Sequence, residues 1–277
     1  MADGRAGSVL LIRKGKMEKD QLLKKLNQKA IVYGTCLTNL TPRWLQTITG
    51  ADLDFVFLDT EHIPTDRGRL SEACWHLRQM DITPIVRIAQ SDPFLAVQAL
   101  DAGAIGIVAP YVETVAQITA LTGAVKYRPL KGELLDVALE DPTQLSEQTA
   151  KYLKDYNKGH LLIANIESRP ALERLDTLLS QPGLDGVFIG PHDLSVSLGI
   201  AEQYDHPDFQ EAVRCIIQLT RKAGKHVGIQ FWMEPEVQIR WIQEGCDMVI
   251  HSNDLSIFSQ KLQQDMHTIR KSKISSI

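Results

Sequence analysis

Cysteine is scarce in this chain of 277 residues, and the four present (Cys36, Cys74, Cys215 and Cys246) form no CxxC pair. Each lies among apolar residues of an expected strand or helix, so reduced, buried thiols are expected rather than disulfides, as in a cytoplasmic protein. No apolar run approaches the length that spans a bilayer, and the patch at 9–12 is too short for a signal-peptide core. A membrane partner is therefore not expected. Basic residues are scattered except near the two ends and the net charge is −4, which argues against a nucleic-acid partner. No GxGxxG or Walker sequence occurs, and no Cys/His spacing supports a closed zinc site. Lysine is missing from the expected strands after the first, so a Schiff-base aldolase is disfavoured. Glycine-rich phosphate loops are also missing where a phosphosugar barrel would carry them, after its seventh and eighth strands.

What is present is ordinary for a folded domain: 44% hydrophobic and 23% charged residues, enough to bury one large core. The expected organisation is a flexible N-terminal arm at 1–16, a single domain at 17–270 and a frayed polar tail at 271–277. A short amphipathic helix is expected at 17–29. Strands then alternate with helices. Strands are expected at 31–38, 55–59, 84–88, 105–111, 161–167, 187–190, 227–231 and 248–251. The intervening helices are punctuated by Pro42, Asp92-Pro93, Gly103, Ser146 and Pro235. The passage 128–145, with Pro129, Gly132 and Pro142, reads as irregular. Eight such units over about 240 residues are the pattern of an α/β protein of the (β/α)8 TIM-barrel type. An open doubly wound sheet is the structural alternative.

A barrel places its chemistry at the C-terminal ends of its strands. There the sequence has Asp59, Glu61 and His62 after the second strand, Arg87 at the third, Glu167 at the fifth and Asp193 after the sixth. Singly each is weak: Glu167 is able to cap the next helix, and Asp193 the polar turn expected after Pro191. Together they would converge on one mouth. Two carboxylates with open positions beside them suit a divalent ion such as Mg2+ or Mn2+. Among the eight histidines only His62 stands in a strand-end turn beside acids, although His192 and His251 are also placed to line the mouth.

Five stretches, in order, resemble one family: Asp59-x-Glu61-His62, Pro84-Ile85-Val86-Arg87, Ala99-Leu100-Asp101-Ala102-Gly103, Ile166-Glu167 and Gly190-Pro191-x-Asp193-Leu194-Ser195. They are similar to the HpcH/HpaI aldolases, metal-dependent class II pyruvate aldolases, over about 31–257. The resemblance implies that Glu167 and Asp193 bind a divalent metal (Mg2+, Mn2+ or Co2+), which chelates a small 2-oxo acid substrate. It implies that Arg87 stabilises a developing oxyanion, that His62 transfers protons, and that Asp59 and Glu61 orient water or the surrounding groups. Asn165 stands where the family often has glutamine, and Gly190 and Pro191 belong to the metal-carboxylate motif. Asp101 is paired with the histidine in the family. Sitting at a helix end, it would not reach its own mouth, so it is expected to act across a subunit interface or else to be an ordinary helix-end acid. A homo-oligomer, a hexamer in relatives that exchange C-terminal helices, is implied. The apolar positions of the last helix fit that exchange, and fit packing on their own barrel equally.

The chain departs from the family at Lys126-Tyr127-Arg128-Pro129-Leu130-Lys131-Gly132-Glu133, where a loop arginine has no counterpart, and at Phe231-Trp232-Met233, which adds bulk after the seventh strand. The expected activity is cleavage of 4-hydroxy-2-oxo acids to pyruvate and an aldehyde. A citrate-lyase-like carbon–carbon lyase acting on a CoA ester and a catalytically degenerate ligand-binding barrel are the rival readings.

Overall fold

The structure, a computed structural model, describes residues 21–231 and 234–272. The expected arm at 1–16, the start of the first helix, the bulky pair Trp232-Met233 and the tail from 273 onward lie outside the described residues. The chain opens with α1 (Gln21–Asn27), β1 (Val32–Leu37), α2 (Pro42–Leu45), β2 (Phe55–Asp59), α3 (Arg67–Gln79) and β3 (Thr83–Arg87). It continues through α4 (Pro93–Asp101), β4 (Gly106–Ala109), α5 (Val115–Lys126), α6 (Gly132–Glu140), α7 (Glu147–Tyr156) and β5 (Leu161–Ile166). Then come α8 (Arg169–Glu173), α9 (Leu175–Leu179), β6 (Gly186–Ile189), α10 (Pro191–Ser197) and α11 (Pro207–Lys222). The last elements are β7 (His226–Phe231), α12 (Pro235–Glu244), β8 (Met248–Asn253) and α13 (Asp254–Lys271).

Every strand pairs in parallel with its sequence neighbours and β8 closes on β1, giving the expected (β/α)8 barrel with a short N-terminal helix. Caps explain many of the helix starts. Asp92 accepts hydrogen bonds from the N–H groups of Phe94 and Leu95 ahead of α4, and Thr114 and Gln117 bond reciprocally to open α5, as capping geometry requires. Side chains that alternate along each strand divide between two cores. Val56, Val86, Ile107 and Val187 face the helices. Phe55, Phe57, Ile85, Phe188, Met248 and Ile250 fill the barrel interior, where Leu22 and Leu26 of α1 join them and plug its lower end. Gly228 is part of that packing, because a Cβ there would sit 2.6 Å from the Phe188 ring and 2.3 Å from the Met248 carbonyl oxygen. The lower rim is tied by Asp247, which binds Arg221, His226 and the Val227 N–H.

Three expectations need correction. The passage 128–145 is not wholly irregular, because Pro129 and Pro142 flank α6 instead of interrupting it. Leu135 and Leu139 of that helix lie against Gly123 of α5, where a Cβ would come within 3.4 Å of them. Between β5 and β6, where the alternation predicts one helix, stand two short pieces, α8 and α9. The turn expected after β6 is the helix α10, because Pro191 occupies its first position and needs no amide partner there.

At the upper rim Asp254 joins the first and last strands. Its carboxylate accepts from the Thr38 N–H (3.0 Å), the Thr38 hydroxyl (2.7 Å), the Asn39 N–H (3.1 Å) and the Trp44 indole (2.7 Å). The C-terminal ends of the strands therefore form a braced ring above the core.

Candidate active site

Strand register builds one half of the site. Asp59 and Arg87 are partners across β2 and β3, and their side chains form a two-point ion pair. Arg87 Nε donates to Asp59 Oδ1 at 2.9 Å and Nη2 to Oδ2 at 2.6 Å, with both residues buried. This fork fixes the guanidinium plane as well as its charge. Asp59 Oδ1 also accepts the Glu61 N–H at 3.0 Å, which turns the chain so that Glu61 Oε2 lies 3.2 Å from Arg87 Nε and 3.7 Å from His62 Nε2. Burial opposes the Arg87 charge, but the Asp59 hydrogen bond and the charges of Asp59 and Glu61 outweigh it and hold its pKa above the ordinary value. Burial pushes the Glu61 carboxyl up, with Arg87 and His62 pulling the other way. His62 is well exposed at the rim.

The other half forms at β5 and β6. Glu167, 2% exposed, does not cap α8; the Ser168 hydroxyl does, accepting from the Ala171 N–H. Glu167 instead accepts from the Tyr111 N–H at 2.6 Å and from Asn165 Nδ2 at 3.0 Å. Tyr111 has φ +52°, left-handed backbone that a tyrosine rarely adopts, and there it turns its N–H toward this carboxylate. Burial, aided by the Asp193 charge, raises the Glu167 pKa to about 7 against the pull of the Tyr111 hydrogen bond and Arg87. Gly190 is required by closeness: a Cβ there would lie 2.2 Å from Glu167 Oε2. One residue beyond Pro191 and His192, the half-buried Asp193 stands in the first turn of α10.

These two halves line a single cavity of about 570 Å³, with Asp59, His62, Arg87, Glu167, Gly190, Pro191 and Asp193 in its wall. Asn165 and Glu61 stand behind it through the contacts above. His192 also lines it, whereas His251 is not among the lining residues. Asp101 is elsewhere: it lies beside Arg128, 3.4 Å from Nη1, in an apolar groove formed with α5 and α6. Sequence reasoning missed the role of Tyr111, whose signal is a backbone angle, and the lining residues Glu202, Tyr204 and Gln230. Gln230 carries no motif and emerges only once strand parity is known.

The donor set fits a hard divalent cation. Two carboxylates face one cavity, and burial together with the Asp193 charge raises the pKa of Glu167 to about 7, a cost of the ionised form that a bound cation relieves. Among the described residues no third acid, histidine or cysteine clusters with them, so water and substrate oxygens would complete the shell, as is usual for Mg2+-type sites.

A barrel with its acids and guanidinium gathered at the C-terminal mouth is an enzyme of the (β/α)8 class. Residues 35–260 match the HpcH/HpaI aldolase/citrate lyase family, and the chain belongs to this family of carbon–carbon lyases. Similar curated proteins include the 5-keto-4-deoxy-D-glucarate aldolase of Shigella sonnei (strain Ss046), 28% identical over 223 residues that span 80% of this chain and 85% of the relative. An HpcH/HpaI aldolase structure from Desulfitobacterium hafniense DCB-2 superposes with a TM-score of 0.80 at 24% identity, covering 92% of this chain and 99% of that one. A family protein from Burkholderia cenocepacia J2315 gives 0.78 at 23% identity, covering 91% and 100%. At that identity the structural likeness speaks for the fold.

Proposed function

We propose that this lyase cleaves 4-hydroxy-2-oxo acids to pyruvate and an aldehyde with the help of a divalent metal (Mg2+, Mn2+ or Co2+) held by Glu167 and Asp193. The observation that carries the reading is that these two carboxylates share one cavity with Arg87 and His62. A divalent ion bound there would draw electron density from the carboxylate and ketone oxygens of the 2-oxo acid and so stabilise an enolate. The protein's own part follows from its geometry. Asp59 and Glu61 hold Arg87 charged and oriented, so the guanidinium meets developing negative charge without reorganising. His62, at the rim and near Glu61, removes the proton from the 4-hydroxyl as the C3–C4 bond breaks. The bonding pair stays on C3, and a proton returned to C3 gives pyruvate. Asn165, Tyr111 and Gly190 fix the Glu167 carboxylate.

We also propose that the chain acts as a homo-oligomer, a hexamer by family resemblance. In α13 the apolar side chains of Leu255, Phe258 and Ile269 are exposed and Asp254 alone is buried, so the expected packing on its own barrel leaves this face uncovered. Asp101, remote from the cavity of its own chain, would then serve His62 of a neighbouring copy. Light scattering, with Asp101→Asn assayed in the intact assembly, tests this pairing: a monomer with full activity would refute it.

The test of the chemistry is a retro-aldol assay over a panel of 4-hydroxy-2-oxo acids. Activity should need added metal, vanish with EDTA and fall at least a thousandfold in Glu167→Ala. Activity indifferent to EDTA and to that substitution would overturn the proposal.

A further inference from the structure

Gln230 presents an unused hydrogen-bonding group inside the cavity. It lies on β7 two residues beyond Gly228 and so shares its inward face. The residue is 6% exposed and lines the cavity with Asp193, Glu167 and Arg87, yet its Nε2 has no hydrogen-bond partner among the described residues. A buried amide donor left without a partner costs about 1–3 kcal/mol, and the barrel offers ready alternatives. Gln238, similarly buried nearby, donates to the Ile250 carbonyl oxygen at 2.8 Å. A leucine or methionine at position 230 would fill the same space without the penalty. The group is therefore left for a partner that the described protein groups do not supply.

Position decides what that partner is. Around the mouth the order is Asp59 on β2, Arg87 on β3, Glu167 after β5, Asp193 after β6 and Gln230 on β7. The charged groups that would bind the 2-oxo acid end thus occupy β2 to β6, and Gln230 lies just past them. The wall beside it is completed by His192, Glu202 and Tyr204. His192 Nδ1 is 3.5 Å from Glu202 Oε1, so its charge, when present, is matched by a carboxylate. With Asp193 engaged by the metal and the His192 charge matched by Glu202, that wall has no net positive charge to offer a second carboxylate on the substrate and suits a neutral oxygen better.

We propose that Gln230 determines specificity by donating its side-chain amide N–H to a neutral hydroxyl oxygen on the carbon chain beyond the 2-oxo acid group, selecting hydroxylated substrates over apolar ones. This rests on the aldolase reading for the orientation of the ligand. One neutral hydrogen bond to an otherwise orphaned donor is worth about tenfold in affinity.

The test is calorimetric binding of N-(2-hydroxyethyl)oxamate and of N-propyloxamate, which has a methyl group in place of the hydroxyl, to the full-length protein with Mg2+ present; both mimic the 2-oxo acid end and neither has a 4-hydroxyl to be cleaved. Wild type should prefer the hydroxylated ligand by about tenfold, and Gln230→Leu should reduce that ratio to near one. Gln230→Met, closer in shape, should do the same and guards against a folding defect in the leucine variant. A wild-type ratio near one, or a ratio that survives both substitutions, overturns the proposal. The aldolase reading is scored separately by retro-aldol turnover of 4-hydroxy-2-oxobutanoate. No turnover with a tenfold binding preference that depends on Gln230 would refute the reaction and keep the hydroxyl contact. Turnover without the preference would do the reverse.

Discussion

Replacing Gly190 by alanine should disable the site through Glu167 without touching any charged group. The new Cβ would stand 2.2 Å from Glu167 Oε2, 3.3 Å from its Cδ and 2.9 Å from its Cβ. A relaxed carbon–oxygen contact is about 1 Å longer than the first of these, so the carboxylate must move by that amount. It has nowhere easy to go: it is 2% exposed and bonded to the Tyr111 N–H and to Asn165. Overpacking of this kind costs about 1–3 kcal/mol, and in a chain of this size that lowers Tm by roughly 2–5 °C. A displacement near 1 Å at a reacting centre costs on the order of a hundredfold in rate. Calorimetric titration with Mn2+ should show affinity weakened at least tenfold, and turnover should fall by about two orders of magnitude. Gly199→Ala is the control, because φ there is +80° but no neighbouring atom of the described residues lies within 4 Å of where its Cβ would stand. It should lose stability through backbone strain and keep its metal affinity. If Gly190→Ala binds Mn2+ as tightly as wild type, Glu167 is not positioned as argued.

Further expectations follow from the same contacts. Arg87→Lys keeps the charge but loses the two-point pairing with Asp59, and kcat should drop about a hundredfold while KM changes less, as steady-state kinetics would show. Glu167 retains its proton to about 7 in the metal-free protein, so apparent Mg2+ affinity should rise up to tenfold per pH unit from 5 to 7 and level off above. The sign for stability is the opposite one. A carboxyl whose folded pKa is raised favours the folded state at low pH, so metal-free stability should decline between about 4.5 and 7, while saturating Mg2+ removes the decline in thermal melts. Leu26→Ala opens the plug at the lower end of the barrel, where Leu26 is 2% exposed, and should cost about 2–5 kcal/mol in urea unfolding with little effect on metal affinity.

The barrel was legible because its punctuation is local. Proline at helix starts, and capping Asp, Ser and Thr residues, mark where most of the helices begin, and buried strands read as short apolar runs. The passage 128–145 misled for the same reason: its two prolines flag ends, and only the contact of Leu135 and Leu139 with Gly123 reveals the helix between them. At the site, Asp59, Arg87, Glu167 and Asp193 could be read as strand-end charges whose convergence follows from closure of the barrel. Gln230 could not, because one glutamine in a strand has no periodicity to betray it, and its missing partner is a property of packing. The departure of Asp101 from the cavity follows from helix direction alone. Its pairing with Arg128 does not, because it depends on the groove that α6 shapes, and the sequence there reads as irregular.

The central claim is that Glu167 and Asp193 hold a divalent ion that lets this barrel form an enolate from a 2-oxo acid. The most direct measurement is deuterium exchange at the methyl group of pyruvate in deuterated water, followed by proton NMR, which needs no knowledge of the aldehyde. The account predicts enzyme-dependent exchange with Mg2+ or Mn2+, its loss with EDTA, and its loss in both Glu167→Ala and Asp193→Ala. Exchange that persists in both variants or without metal, or no exchange in wild type with any of Mg2+, Mn2+ and Co2+, would contradict it.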